Sequence, residues 1–404
     1  MTEPLSPRLN TWALAAVAFL IVPVGVLAQK GEIILLGLAG AVLLVQAASA
    51  GTWRQAFRTP TAAIFIVLLI WSLATAAWAI STTDALELWK SLALIFAAIL
   101  ILLNAARGLS AQARIDVATW AAFGLCLGLA LLAIEIAFDL PITQQLQSKG
   151  PAPRLSTLNA GISIALAVVW PVAAGLWRQG QPIVAIGLTV AVALVIGFSD
   201  ATSAKIAYVA ATGAFAIVWV TRRRSIEVMC LIVALAILAA PAAMRTVVPA
   251  PQTFDQQVRG AARSALHRLY IWDFVTERVI EKPFVGWGLD GSRSIPGSQR
   301  RVLGDAPVIS LHPHNAALQI WLELGAAGAA LAALLVMIIG AGLAHLPRLG
   351  RATSAATLFG TLAIASLSFG IWQNWWMAAL GLIAVLSSAL RPPRSDIPSS
   401  KSDD

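Results

Sequence analysis

Two of the four histidines in this chain stand two residues apart, in the stretch Ser310-Leu311-His312-Pro313-His314-Asn315, where a long polar segment runs into an apolar helix containing Gln319, Glu323 and Gly325. Imidazole titrates closest to neutrality, so a histidine at such a junction is a candidate proton acceptor. Pro313 suits a first helical turn, which places His314 and Asn315 near a helix N-terminus. His314, Leu318, Trp321 and Gly325 would then share a face, at spacings of four, three and four. The dipole at that end disfavours a protonated ring, so a neutral His314 would be free to take a proton. His312 stands outside the turn.

The remaining chemistry-bearing residues are cations. Arg268 lies in the same long polar segment, Lys205 follows Ser199-Asp200-Ala201-Thr202-Ser203, and Arg154 precedes Leu155-Ser156-Thr157-Leu158-Asn159. Each also has a plain reading: Lys205 as a snorkelling lysine, Arg154 as an interfacial anchor beside a cap. Guanidinium and ammonium groups suit phosphate or diphosphate oxygens, arginine in a bidentate fork. The sequence has no carboxylate cluster for Mg²⁺ and no CxxC, HExxH or GxxxxGK[ST] motif. Cations with a neutral base and no metal ligands suit transfer from a diphosphate leaving group.

The elements that must position these groups are membrane spans. Of 404 residues, 59% are hydrophobic and 12% charged, about half the charged content of a soluble domain. Apolar runs recur at about 11–28, 32–50, 61–80, 87–106, 115–138, 157–177, 182–198, 204–220, 226–243, 318–343, 354–372 and 376–390, twelve in all. The chain reads as an all-α polytopic membrane protein. Nine spans fall within 1–243, a large loop covers 244–317, three spans occupy 318–390, and a polar tail runs over 391–404. The first span ends Pro23-Val24-Gly25-Val26-Leu27-Ala28 and resembles a signal cleavage site, though we read it as a retained anchor.

The formal charge of +9 is not a nucleic-acid signal, because the basic residues fall in alternate connections as the positive-inside rule requires. Arg8, Arg54, Arg58, Arg107, Arg114, Arg178, the Arg222-Arg223-Arg224 run, Arg348, Arg351, Arg391, Arg394 and Lys401 place both termini inside. Short outside connections carry little beyond Lys30, Lys90, Lys149, Arg154 and Lys205. Loop 244–317 therefore lies outside, with nine basic residues against six acids, a balance that favours an anionic ligand.

Within the loop, Leu266, Leu269, Trp272, Val275 and Val279 predict an amphipathic helix from Gln257 to Glu281, ended by Pro283. It would lie at the membrane boundary or cover a cavity. Phe284-Val285-Gly286-Trp287-Gly288 reads as a tight turn, and 292–307 has loop composition. Trp375-Trp376 fits an aromatic belt, Glu135 and Asp139 fit structural span-edge residues, and Cys126 and Cys230 fit small core positions.

Four pieces of this pattern resemble the O-antigen ligase and polymerase superfamily of membrane glycosyltransferases (WaaL/Wzy type). They are His314-Asn315 within Leu311–Gln319 followed by Glu323-Leu324-Gly325; Arg268-Leu269-Tyr270-Ile271-Trp272 followed by Glu281-Lys282-Pro283-Phe284-Val285-Gly286-Trp287-Gly288; Ser203-Ala204-Lys205; and Arg154 with Asn159. The resemblance implies a GT-C-like membrane fold of about twelve spans, set in the bacterial inner membrane with its site facing the periplasm. It implies transfer of a glycan from undecaprenyl diphosphate to an acceptor hydroxyl, a lipid A-core sugar or another glycan, without metal or other cofactor. By position, His314 would be the catalytic histidine, Arg268 would contact the diphosphate, and Arg154 would be a further donor-site cation. Lys205 stands where the family usually has arginine, keeping the charge and losing the fork. Asn315, His312 and Asn159 would support the site.

A ligase and a polymerase of repeat units differ mainly in acceptor, and no motif separates them here. Compact length and a single large loop lean to the ligase. A transporter of polysaccharide or lipid-linked glycan would predict inverted repeats and polar groups at mid-depth, whereas these polar groups sit at the outer edge.

Overall fold

The computed structural model describes residues 7–146, 152–254, 262–309 and 311–391. The expected helix start at Gln257, the charges Lys149, Asp255, Arg259, Arg394 and Lys401, Ser310, and the tail from 392 lie outside the described residues.

Among those residues the chain is overwhelmingly helical. The helices are α1 (Pro7–Leu27), α2 (Gly31–Ser49), α3 (Pro60–Thr75), α4 (Thr82–Arg107), α5 (Ala111–Ala137), α6 (Pro141–Leu146), α7 (Asn159–Arg178), α8 (Pro182–Phe198), α9 (Thr202–Val220), α10 (Arg224–Val247), α11 (Ala262–Glu281), α12 (Ala316–Ala344), α13 (Arg348–Leu367) and α14 (Asn374–Ala389). A helix underlies each of the twelve apolar stretches. Eight are long and apolar enough to cross a membrane, α1, α2, α4, α5, α7, α9, α10 and α12, and α3, α8 and α14 are shorter apolar helices. The protein is a polytopic helical membrane protein. One two-residue hairpin, β1 (Arg301–Val302) with β2 (Ala306–Pro307), interrupts the loop where only irregular chain is expected.

Local chemistry sets the helix ends. Thr59, Ser81 and Ser110 cap α3, α4 and α5, each side-chain oxygen accepting a hydrogen bond from the third residue on. Arg114 closes the far end of α14, its guanidinium donating to the carbonyls of Ser388, Ala389 and Arg391 at 2.9–3.0 Å. Glu135, fully buried, accepts from the backbone of Ile142 and Thr143 at 3.0 and 3.1 Å and anchors the start of α6, the structural role expected of it.

Two expectations are corrected by packing. Trp375 and Trp376 are 7% and 0% exposed and stack around Phe369 inside the helix bundle, so they are not a belt facing lipid. Cys230 is a core residue, but Cys126 faces outward from α5. Composition alone cannot separate a lipid-facing side of a span from a protein-facing one, because both are apolar.

The most central helix is α7, buried along nearly its whole length. Thr357 of α13 donates to the Ala167 carbonyl at 3.3 Å, Gly360 lies against Leu166 and Ala211, and Ser203 donates to the Leu367 carbonyl at 3.2 Å. Helices α7 and α9 thus run antiparallel to α13, and their first residues gather where α13 ends. That end of the bundle carries the histidines.

The described residues of the long loop pack together with the start of α12 at this end. Leu266, Tyr270, Ile271, Phe274, Val275 and Val279 of α11 pack on Ile295, Val308, Ile309, Leu318 and Leu322. The amphipathic helix is present, but its buried face is broader than the predicted stripe, and Leu269 and Trp272 lie at its margin.

Helix α12 is broken at Gly325, where φ is +65° and ψ −163°. The Pro283–Gly288 turn crosses it there: a Cβ on Gly325 would lie 2.3 Å from the Phe284 carbonyl oxygen, and one on Gly286 would lie 2.5 Å from the Glu323 carbonyl. The carbonyls released by the break accept from Trp287 N (Leu322, 2.8 Å), Gly288 N (Glu323, 3.0 Å) and Trp71 Nε1 (Leu324, 2.9 Å). The helix beyond the break, residues 326–344, is about 28 Å long at 1.5 Å per residue, close to a hydrocarbon core of about 30 Å. The stretch expected as one span over 318–343 is therefore two pieces.

Candidate active site

Helix α12 begins at Ala316, so His314 and Asn315 both lie outside it. Asn315 is the N-cap, its Oδ1 accepting from Leu318 N at 3.0 Å. His314 lies before the helix with φ +54°. The expected helical face linking His314 to Gly325 is thus absent: the cap ends the helix short of the histidine, and Gly325 breaks it.

The left-handed backbone turns His314 back onto the connection between α13 and α14. Its Nδ1–H donates to the Ser368 carbonyl at 2.5 Å. His314 N donates to His312 Nδ1 at 3.2 Å, and the two ring centroids are 4.2 Å apart. These contacts assign opposite tautomers: His314 carries its proton on Nδ1 and leaves Nε2 a lone pair, and His312 carries its proton on Nε2. Trp272 Nε1 donates to the Pro313 carbonyl at 3.0 Å and holds the dipeptide against α11. The His312 ring lies on Gly370, where a Cβ would come within 2.7 Å of its Cγ.

Both rings are held neutral, and burial is the main cause. His312, 8% exposed, is pushed down to about 3 by burial and then by the charges of His314 and Arg293. His314 is lowered first by burial, against the opposing hydrogen bond to Ser368, and further by Arg268 and His267. The helix dipole invoked from the sequence is secondary to desolvation.

Arg268 is the predicted cation that the structure brings to the imidazoles, and its own pKa is lowered by burial. Lys205 and Arg154 are exposed, and among the described residues no hydrogen bond or ion pair joins either to the histidines. They share the site's end of the bundle through the starts of α9 and of the turn before α7. Asn159, half-buried, is the first residue of α7, and its carbonyl accepts from Ser163 Oγ at 2.7 Å.

Several site residues escape the sequence reading. A third imidazole, His267, donates from Nε2 to the Pro307 carbonyl at 3.0 Å. Among the described residues no three His, Cys, Asp or Glu side chains are grouped to hold a metal. Glu323 is fully buried; its carboxylate accepts from Asp290 N at 2.8 Å, from Gln319 Nε2 at 3.1 Å and from Ser292 Oγ. Gln319 Oε1 in turn accepts from Ile371 N at 2.9 Å, beside Gly370. A Gln and a Glu four apart in an apolar helix were the available signal. Ser368 and Gly370 left none, because residues 354–372 read as one uninterrupted span.

Residues 185–333 match the family model described as O-Antigen ligase. This segment holds Lys205, Arg268, His312, His314 and Asn315, while Arg154 and Asn159 precede it. That segment is similar to the O-antigen ligase family. Relatives provisionally named polysaccharide ligases are found in Rickettsia conorii (35% identical over 148 residues, 35% of this chain and 36% of the relative), Rickettsia typhi (27% over 244 residues, 59% and 60%) and Rickettsia prowazekii (33% over 148 residues, 35% and 36%). The chain thus spans between 36% and 60% of the length of these curated relatives. No solved structure matches it.

Proposed function

We propose that this protein transfers a glycan from an undecaprenyl-diphosphate carrier to an acceptor hydroxyl, a lipid A-core sugar in first place, at the periplasmic face of the bacterial inner membrane. The observation that carries this reading is the His314 tautomer. With Nδ1–H given to the Ser368 carbonyl, Nε2 is an unprotonated acceptor near the half-buried Arg268 guanidinium.

In the reaction, His314 Nε2 takes the acceptor hydroxyl proton as the oxygen bonds to the anomeric carbon. The bond from that carbon to the diphosphate oxygen breaks, and its electron pair leaves on the diphosphate, whose growing charge Arg268 meets. Lys205 and Arg154 line the donor's approach at the same end of the bundle. Asn315 holds the start of α12, His312 accepts the His314 backbone N–H, and Asn159 begins α7 beneath Arg154. The 244–317 segment closes over the site from the periplasm. The step needs no metal. The superfamily segment and the relatives' names support the glycan-ligase reading over a transporter.

The test is a deletion strain complemented with His314→Ala, with protein level and membrane insertion matched to wild type. The expected result is loss of glycan on the acceptor, with long chains stranded on the lipid carrier. Single stranded repeats would indicate a polymerase instead. Full retention of surface-glycan assembly would sink the transferase reading.

A further inference from the structure

The segment Leu289 to Arg293 is held more tightly than a surface turn requires. Leu289 N donates to Thr75 Oγ1 at 3.2 Å, Asp290 N to Glu323 Oε2 at 2.8 Å, and Ser292 Oγ to Glu323 Oε1. Asp290 adopts φ +59°, so the chain bends sharply to make these bonds. Burying Glu323 completely costs several kcal/mol unless its oxygens are satisfied, and these donors satisfy them.

Arg293 closes the turn with a side chain 53% exposed, tethered by Asp290 at 3.5 Å. An ion pair that long and that exposed contributes little stability, so it does not explain the anchoring. The anchoring does explain a fixed position for the guanidinium. Gln319 joins the same Glu323 to Ile371, and Gly370 beside it floors the His312 ring, so one network sets both the turn and the imidazoles. Arg293 is among the charges that act on His312, and Arg268 is among those that act on His314.

We propose that Arg293, on the turn that the Glu323 network ties to the imidazole pair, is a second phosphoryl-binding cation in addition to Arg268, and that Glu323 is the positioning residue that holds its turn. The inference rests on the transfer reading above and names a group that binds the donor diphosphate. Two guanidiniums near the imidazole pair would hold the two phosphates of the leaving group while Nε2 faces the acceptor.

The test uses the full chain in lipid nanodiscs. Undecaprenyl diphosphate and the uncharged alcohol undecaprenol are titrated separately, with binding followed by tryptophan fluorescence. Wild type should prefer the diphosphate. Arg293→Ala should weaken diphosphate binding by about tenfold or more and leave undecaprenol binding unchanged, with Arg293→Lys intermediate. Glu323→Gln should weaken diphosphate binding in the same way, and adding Arg293→Ala to it should cost little more, because both act through one contact. A purely structural role for Glu323 would leave the two losses additive. If Glu323→Gln does not fold, the Arg293 pair carries the test alone. Diphosphate binding by Arg293→Ala within about twofold of wild type would overturn the assignment while leaving the transfer reading intact. Wild type that does not distinguish the two lipids would overturn both. A loss confined to a phosphorylated glycan acceptor would move Arg293 to the acceptor side and overturn the donor assignment.

Discussion

His314 illustrates how surroundings set the proton position of a single side chain. Its sequence neighbours predicted a neutral ring, and the ring is neutral, but burial rather than the helix dipole is the main cause. A lowered pKa keeps Nε2 unprotonated to more acid pH than a free imidazole. Since only the unprotonated ring accepts a proton, the acid limb of the transfer rate should fall below the ordinary histidine value of about 6.5. A pH–rate profile of the purified protein in detergent measures this, and a limb at or above that value would count against His314 as the base. The opposite tautomers of His312 and His314 follow from two backbone contacts that no spacing rule reveals.

The break in α12 shows the same dependence at greater length. Gly325 sits in a run that composition reads as one long span. Only the crossing of the Pro283–Gly288 turn requires a residue without a Cβ and with positive φ. Gly325→Ala should cost at least about 1–2 kcal/mol from the left-handed backbone alone, before the overlap with Phe284 is counted. The cost would be read as a lowered melting temperature or lost expression. Ala326→Gly, one residue on and ordinarily helical, should cost only about 1 kcal/mol. Equal effects at the two positions would argue that the break is not required. The short first half of α12 then acts as a separate arm, carrying Asn315, Gln319 and Glu323 into the network behind the histidines.

For the molecule as a whole, the arrangement depends on one end of the bundle collecting the starts of α7, α9, α12 and α14 with the end of α13. In the orientation proposed from the alternating basic connections, that end faces outward. Impermeant maleimide should therefore label Gln299→Cys in intact spheroplasts, and should label Arg223→Cys only after the membrane is permeabilised. Both substitutions belong in a Cys126→Ala background, because Cys126 is exposed on α5. Reversed accessibility would invert the protein and remove the site from the periplasm.

Hydrophobic run length determined, without coordinates, that this is a helical membrane protein, and the basic loops and the His-Asn junction singled out one end and His314 as the candidate site. Those features are local: each depends on a residue and its near neighbours along the chain. The helix that carries Arg268 was legible for the same reason, through its apolar periodicity. What only the tertiary structure decided is long-range. Ser368 lies 54 residues from the histidine it orients, Gly370 floors His312 from another connection, and the Glu323 carboxylate draws its donors from a turn 31–33 residues upstream as well as from its own helix. In a membrane the apolar pattern is nearly the same on every face of a span, so it says which residues are helical but not which helices meet. Polar contacts between distant backbone and side-chain groups make that choice, and they exist only once the helices have packed.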